Sequence, residues 1–187
     1  MAVKTFTTGE VLTSADTNTY LANSGLVYVT STTATSGANI SMNGCFSSTY
    51  RNYRVVISNL TTTGVAASSI RLRSGTTDAT TSYYYNGTYM SYTSATINGY
   101  AGSNVGTWDP GIVVDATMGG TSFDFFNPYV AFVTSFNSFG CDPRTGGGGG
   151  RFSTGMHYAN TSYDGFTWFS GSTITNATIT VYGYRNP

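Results

Sequence analysis

The stretch NYRVVISNL, Asn52–Leu60, decides the fold class of this chain of 187 residues. It is the strongest strand candidate in the sequence, because β-branched residues occupy both of its alternating faces. A second stretch, SIRLRSG at Ser69–Gly75, alternates cleanly, with Ile70 and Leu72 facing one way and the arginines between and after them facing the other. Both patterns indicate β-structure.

Further short β segments lie on both sides of these two, separated by Gly, Asn, Asp or Pro about every ten residues. They are LVYVTSTT (Leu26–Thr33), SYYYNGTYMSY (Ser82–Tyr92), GIVVDAT, SFDFF, YVAFVTSF, RFSTGMHY, FTWFSG and ATITVYGY. Asn86-Gly87 stands between two aromatic arms and predicts a hairpin turn. With no second helical period and no long internal repeat, the pattern predicts an all-β fold over residues 26–187, an antiparallel, jelly-roll-like β-sandwich.

Residues 1–25 differ from the rest and predict a polar arm with one short helix within Thr13–Asn23. Ser14 is the expected N-cap, and Asp16 places a negative charge in the first turn, where the helix dipole favours it. Asn23 to Gly25 supplies the stop. The candidate inward positions are Ala15, Tyr20 and Leu21. Because so short a helix is marginal alone in water, either the body of the chain or another chain must hold it.

Neither targeting nor membrane insertion is expected from the sequence. Lys4 is followed by polar residues instead of the apolar run of a secretory signal. No window approaches the roughly 18 apolar residues of a membrane span. We therefore expect residues 1–25 to belong to the working protein.

The charge content is unusually low. Charged residues make up 9% of the chain, and the formal net charge is zero, whereas ordinary soluble domains have about 25% charged residues. Such a surface resists aggregation poorly in a free monomer. Two interpretations stand: a tightly packed β-domain with hydroxyl-rich loops, or a subunit whose surface is covered by neighbours in an assembly, which the abundant aromatics favour.

Nucleic-acid and metal binding are not expected. The seven arginines and one lysine are scattered, without a basic cluster. Cys45 and Cys141 lie far apart and have no CxxC partner, so a zinc site is not supported. The two cysteines form a disulfide or are two free buried thiols, and we favour the thiols.

The sequence offers little for catalysis. His157 is the only histidine, and GMHYAN contains neither a GxSxG elbow nor an HExxH spacing. Asp109 with Asp115, or Asp124 with Asp164, would have to face each other across a cleft to hydrolyse a glycosidic bond. Most aspartates stand beside turn residues, which turn chemistry alone explains. We expect no enzyme, no catalytic residues, no cofactor and no metal.

Aromatic residues and one glycine run are the remaining features. Tyrosine combines an apolar ring with a hydroxyl, which suits protein interfaces and sugar faces. About half of the aromatics must be core. The candidate receptor or interface residues are Tyr83, Tyr85, Tyr89, Tyr92, Trp108 and Trp168. The run RTGGGGGR, Arg144–Arg151, predicts a loop, either a flexible strand connection or a tip that adapts to a ligand or a neighbouring subunit.

Both ends of the chain resemble a family of bacteriophage virion proteins. The start, FTTGEVLTSADTNTYLANSGLVYV, and the end, ITNATITVYGYRNP, are similar to the ends of those proteins, and YRNYRVVISNL matches in part. The segment from Thr76 to Thr175 resembles them only in texture. The resemblance implies a short N-terminal arm that attaches to the virion, followed by one outward β-sandwich. The arm residues expected to attach are Phe6, Val11, Leu12, Tyr20 and Leu21.

Two roles follow from this resemblance. One is a tail or head fibre or appendage subunit, expected to be a homotrimer, whose β-domain binds a host surface glycan. The other is a capsid decoration protein that clamps neighbouring capsid subunits. In either case the expected location is the virion, assembled in the bacterial host cytoplasm, and the expected partners are other virion proteins of the tail, portal region or capsid.

Overall fold

The computed structural model describes residues 7–11, 13–16, 25–116, 119–142 and 148–185. Strands form 64% of the chain and helix 2%. The elements are α1 (Ser14–Asp16), β1 (Leu26–Ala34), β2 (Asn39–Met42), β3 (Asn52–Thr62), β4 (Ala66–Ser74), β5 (Thr77–Asp78), β6 (Tyr83–Ser91), β7 (Ile97–Val105), β8 (Val113–Val114), β9 (Gly119–Phe126), β10 (Phe132–Asp142), β11 (Gly149–Thr161), β12 (Gly165–Ser170) and β13 (Ile174–Tyr184). The predicted all-β sandwich is confirmed.

Two antiparallel sheets form the sandwich. The large sheet has eight strands in the order β1-β13-β3-β9-β10-β11-β6-β7. In the small sheet the order is β2-β12-β4-β5, and β8 also pairs with β4. Because β1 and β13 are neighbours, the first and last strands meet in one sheet. β7 and β1 are the two edges of the large sheet.

An aromatic cluster fills the space between the sheets. Phe46 and Phe125 pack with ring centroids 5.3 Å apart, and Phe125 lies 5.4 Å from Phe166 of the small sheet. Trp108 packs on Phe136 at 4.6 Å. All five of these side chains are at most 1% exposed. Aromatic pairs at these separations add stability beyond the area that they bury.

The two strands that anchored the sequence-based prediction lie in opposite sheets. Asn52–Leu60 falls within β3 near the centre of the large sheet. Ile70 and Leu72 of β4 are both fully buried, which confirms the predicted inward face. Arg73, on the other face of β4, is nevertheless 7% exposed. Its burial is compensated by hydrogen bonds to Thr167 Oγ1 and the Thr76 carbonyl.

The predicted Asn86-Gly87 hairpin turn is wrong. β6 runs through both residues without interruption, and the turn to β7 lies at residues 92–96. The reason is not local: the ring of Tyr100, opposite Gly87 on β7, covers the glycine, and a Cβ there would collide with that ring. Such a ring-over-glycine pair stabilises a strand that propensity alone would break. Ser and Thr hydroxyls build the actual turn.

The glycine run and the cysteines also depart in part from expectation. Residues 144–147 of the predicted loop lie outside the described residues, but Gly149 and Gly150 belong to β11. A Cβ on Gly149 would collide with the Met90 carbonyl, so only glycine permits this close pairing with β6. Both cysteines are free thiols; Cys45 is buried as predicted, whereas Cys141 is exposed.

The described part of the N-terminal segment includes the start of the predicted helix. Thr13 is its N-cap instead of Ser14: Thr13 Oγ1 accepts the Asp16 backbone N–H at 3.1 Å, and the Asp16 carboxylate accepts the Thr13 N–H at 3.2 Å. This reciprocal pair is a capping box, and the three-residue spacing of Thr13 and Asp16 creates it. Ala15, predicted to face inward, is exposed. Residues 17–24 lie outside the described residues.

Candidate functional site

The outer face of the large sheet carries an unusual set of exposed apolar side chains. They lie on β6, β7, β10 and β11, and we call their surface the outer aromatic face. Its members are Tyr84, Met90, Ile97, Phe139, Phe152, Met156 and Tyr158. Phe139 is 71% exposed and Tyr158 is 68% exposed. Clustered exposure of this kind marks interaction surfaces, whereas single exposed apolar residues do not.

Strand register explains why these side chains meet. Residues directly opposite in an antiparallel pair share a face. Phe139 lies opposite Phe152, and Met156 lies opposite both Ser135 and Tyr84. The sheet therefore places side chains from β10, β11 and β6 side by side in rows across the strands.

β11 carries the face because its hydrophobic pattern is inverted. Its inward positions include Ser153 and His157, which are buried, while Phe152 and Met156 point to solvent. An ordinary half-buried strand does the opposite. Both of these polar side chains have partners: Ser153 Oγ donates to the Asp109 carbonyl at 2.7 Å, and His157 Nε2 lies 3.0 Å from the Thr81 carbonyl. The segment before β8, which contains Trp108 and Asp109, thus covers the inner face here, and its Asp109 carbonyl accepts the hydrogen bond of Ser153.

A shallow trough runs along the outer aromatic face. One hollow of about 490 Å³ lies between Phe152 and the small residues Gly99 and Ala101 of β7. A second, of about 320 Å³, adjoins it at Asn86 and ends at Tyr84 and its neighbours. From there the trough passes Met156 to Tyr158 through a third hollow of about 270 Å³. Phe152 to Tyr158 spans about 20 Å of strand.

Polar groups stand between the rings of the trough. Asn86, Ser135 and Thr154 contribute an amide and two hydroxyls to the second hollow. Thr154 Oγ1 donates to the Phe136 carbonyl at 3.1 Å. Tyr84 and Tyr158 pack edge-to-face with centroids 6.5 Å apart, which fixes the ring at the far end. All residues lining the three hollows are uncharged.

The aromatic residues predicted from the sequence are only partly on this face. Trp108, Trp168 and Tyr83 are fully buried, so their prediction as surface contacts is wrong. Each packs between the sheets; Trp108, for example, donates its indole N–H to the Met156 carbonyl at 3.1 Å. Tyr85 is half-buried against the core.

The other two predicted tyrosines are more accessible. Tyr89 is half-buried, and the Arg151 guanidinium lies 4.6 Å from its ring centroid. Tyr92 is 68% exposed in the turn after β6. The structure therefore brings only Tyr92 of the predicted set fully to the surface, although the hairpin region that contained most of the set borders the trough.

Of the predicted attachment residues, Val11 is described and is 81% exposed. Phe6, Leu12, Tyr20 and Leu21 lie outside the described residues. Their role as attachment residues stays a prediction.

The titratable groups considered for catalysis are engaged in structural contacts. His157 is buried; its Nε2 lies 3.0 Å from the Thr81 carbonyl, and its Nδ1 lies 3.3 Å from the Tyr163 hydroxyl. Burial lowers the pKa of His157, which keeps the ring neutral. The Asp109 carboxylate accepts the Gly111 N–H at 2.7 Å, and burial raises the pKa of Asp109.

The second carboxylate pair is likewise occupied. Asp124 accepts two hydrogen bonds of 2.8 Å from Arg54 and one of 2.7 Å from the Tyr184 hydroxyl. Burial and this bond to the carboxylate raise the pKa of Tyr184 to about 12. Asp164 accepts the Gly75 N–H at 2.9 Å. Asp109, Asp124 and Asp164 thus each accept hydrogen bonds from groups of the fold itself, either a backbone N–H or an Arg or Tyr side chain.

Four main contributors to the outer aromatic face were not predicted from the sequence, namely Phe139, Phe152, Met156 and Tyr158. One pattern could have found three of them: in RFSTGMHY the apolar residues alternate with Ser, Gly and His. Which side of such a strand faces the core depends on whether the segment packed against it offers apolar side chains or hydrogen-bonding groups. Here that segment supplies carbonyls, so the polar face turns inward.

Fold and site together define an all-β sandwich protein with an exposed aromatic surface whose hollows are lined by uncharged residues. Comparison of the chain with protein-family models, with curated protein sequences and with solved structures found no match. Within the described residues no helix has the length and apolar character needed to cross a membrane. The same residues contain no group of three or more His, Cys, Asp or Glu side chains suited to a metal ion.

Proposed function

We propose that this chain is a bacteriophage virion structural protein, a tail or head fibre-like appendage subunit. Its N-terminal segment attaches it to the particle, and its sandwich presents the outer aromatic face to the host, where it binds a surface glycan. The role is binding and assembly, not catalysis.

The inverted pattern of β11 is the observation that carries this proposal. A strand that directs Phe152, Met156 and Tyr158 to solvent forgoes the hydrophobic free energy of burying them, roughly 1.5–3 kcal/mol for a side chain such as Phe or Met. Such exposure in a rigid sheet is expected where a partner covers the surface. Zero net charge suits a subunit that spends its life in an assembly.

The N-terminal segment supports the attachment role. Its helix has a complete capping box at Thr13 and Asp16, yet none of the residues in the described turn is buried. Val11 is exposed as well. A capped helix start with exposed apolar neighbours suits docking on another chain. The resemblance of both chain ends to virion proteins points the same way.

A second candidate is a capsid decoration protein, which would also cover exposed apolar residues of the outer aromatic face. Phe139, Met90 and Ile97 lie toward one end of the outer aromatic face and are 71%, 52% and 64% exposed respectively. A clamping subunit would bury this end against capsid neighbours. A fibre subunit would bury it against another copy of itself, in the homotrimer that we propose.

Quantified protein gels of purified particles separate the candidates. The proposal predicts a copy number of a few to a few tens per virion, as suits appendages. Hundreds of copies would favour the decoration protein, and absence from particles would reject both. Light scattering of the isolated chain adds a second test: the appendage proposal expects trimers at micromolar concentration, and a monomer contradicts that assembly state.

A further inference from the structure

Within the outer aromatic face, the trough is the part whose shape suits an extended ligand. Three adjoining hollows follow the strands, and the walls at its two ends are Phe152 and the Tyr84–Tyr158 pair. A face evolved only for sheet-on-sheet packing would be filled to interior density. Hollows of 490 and 320 Å³ would remain unfilled under a flat sheet. A narrow, elongated occupant fits them better.

Rings and hydrogen-bonding groups alternate along the trough. A pyranose has an apolar C–H face and a rim of hydroxyls, so it needs a ring to stack on and amides or hydroxyls beside it. Tyr84 and Tyr158 offer the rings, and Asn86, Ser135 and Thr154 offer the polar groups. A length of about 20 Å accommodates several sugar units.

The absence of charged side chains in the three hollows limits which ligands they can bind. The residues lining the three hollows include no Arg, Lys, Asp, Glu or His. An anionic sugar would leave its carboxylate or phosphate without a cation, and a charge-assisted bond is what such ligands normally require. The trough therefore suits uncharged saccharides.

The floor of the trough is formed by strands that are paired along nearly their whole length, so its shape is set before a ligand binds. β11 pairs with β6 along nine consecutive residues, and β6 pairs with β7 along most of its length. Gly102 and Gly155 let Tyr85 pack beneath the trough, because a Cβ at either glycine would collide with that tyrosine. Little conformational entropy is lost when a ligand binds such a preformed surface.

We propose that the trough from Phe152 to Tyr158 is a binding site for a neutral oligosaccharide of several sugar units. The inference rests on the proposed function, since it names the ligand class and the location of the host-binding site. A second copy of this chain is the competing occupant of the same surface, and the test below separates the two.

The experiment probes the full-length chain with an array of neutral and anionic oligosaccharides from bacterial surfaces, followed by titration calorimetry with the strongest neutral binder. Tyr158→Ala should weaken the binding of that probe roughly tenfold by removing one stacking ring. Tyr158→Phe should retain most of the affinity, because it keeps the ring. Asn86→Ala should weaken binding through the lost amide.

Tyr28→Ala is the matched control. Tyr28 lies on the outer face of the same sheet, is 60% exposed, and forms an edge-to-face pair with Tyr182 at 6.3 Å, much as Tyr158 does with Tyr84. Its removal should leave binding unchanged. Thermal unfolding of all variants checks that each is folded; Tyr158 is 68% exposed, so its truncation leaves the core intact.

Several outcomes would overturn the proposal. They are no binding to any neutral probe at millimolar concentration, preference for anionic probes, equal binding by Tyr158→Ala and wild type, or loss of self-association in Tyr158→Ala, which would assign the surface to a second copy. Incorporation of each variant into particles is measured in parallel. Normal incorporation without sugar binding would reject the trough but leave the virion role intact, whereas failure of the wild-type chain to enter particles would reject the virion role itself.

Discussion

The outer faces of the two sheets differ in the side chains that they carry. The small sheet has polar side chains that hydrogen-bond to one another, whereas the large sheet has exposed aromatic side chains. On the small sheet, Thr167 Oγ1 accepts a hydrogen bond from Arg73 at 2.8 Å and donates one to Asp78 at 2.7 Å. Thr167 is only 1% exposed, and its hydroxyl links the Arg73 and Asp78 side chains. On the large sheet, Phe139 and Tyr158 stand in solvent. The first arrangement stabilises the fold, and the second leaves a surface available to a partner.

The largest difference is expected from the arginines of the two faces. Arg73→Met on the small sheet removes a guanidinium whose side chain is 9% exposed and which contacts Asp78, Thr167 and the Thr76 carbonyl. Its partners would be left desolvated, so the free energy of unfolding should fall by about 3 kcal/mol in urea titration.

The matched variant is Arg54→Met on the large sheet. Arg54 also pairs with an aspartate, Asp124, but its side chain is 38% exposed. Solvent screens that pair, and the loss should be about 1 kcal/mol. Equal losses at the two sites would show that the faces do not differ in their structural role.

Two threonines, one on each outer face, allow the same comparison with smaller expected changes in the free energy of unfolding. Thr167→Val keeps the shape of a buried side chain but removes its bonds to Arg73 and Asp78, and should cost about 2 kcal/mol. Thr154→Val on the large sheet, where the residue is exposed, should change stability by less than about 0.5 kcal/mol. Chemical denaturation measures both, and a cost at Thr154 equal to that at Thr167 would contradict the account.

The local alternation of residues was enough to predict the inward face of β4 in the small sheet. It was not enough to predict the outer aromatic face of the large sheet. Ile70 and Leu72 alternate with arginines, and that period alone places them inward. Asn86-Gly87 has the composition of a turn, yet the ring of Tyr100, thirteen residues beyond Gly87, holds the glycine in a strand. Cross-strand partners are not visible in a single stretch of sequence.

The burial of aromatic residues also could not be predicted from their neighbours in the sequence. Trp108 and Tyr158 both lie in polar surroundings in the sequence, but the first is fully buried and the second is 68% exposed. Trp108 is buried because the segment that carries it forms a bridge to Ile70 in the small sheet. The face that an aromatic residue takes depends on which segment covers its strand, and that is a property of the whole topology.

The inner face of β11 gives a pH-dependent prediction. His157 faces the Thr81 carbonyl, the Tyr163 hydroxyl and the rings of Tyr83 and Trp108. Burial lowers the pKa of His157 in the folded state, so its neutral form is favoured. Its contribution to stability is therefore fully present above about pH 6.5, the ordinary pKa of histidine, and is lost as the pH falls below that value.

Urea titrations at pH 8 and pH 5 should show this loss in the wild type, and a smaller loss in His157→Gln. The Asp109 carboxyl acts in the opposite sense, because burial raises its pKa and the folded state therefore binds its proton more readily. If His157→Gln shows the same pH slope as the wild type, His157 is not the responsible group.

The cysteines report on exposure of the two regions. Cys141 is exposed on β10, next to the end of the outer aromatic face that carries Phe139, whereas Cys45 is buried and its pKa is raised to about 12. One thiol per folded chain should react with a thiol reagent, and two after denaturation. Loss of the Cys141 reaction in intact particles would indicate that a neighbour covers this end; reaction of Cys45 in the folded chain would contradict its burial.

A charge placed on each face tests the central claim, that the large sheet's outer face contacts the host while the small sheet's does not. Thr154→Lys puts a cation in the middle of the trough, and Asn39→Lys puts one on an exposed position of β2 in the small sheet. Adsorption to host cells is measured for particles that carry each variant, together with incorporation and thermal unfolding. We predict that Thr154→Lys abolishes adsorption while Asn39→Lys adsorbs as wild type, with both variants folded and incorporated. Normal adsorption by Thr154→Lys, or loss of adsorption by Asn39→Lys, would contradict the account.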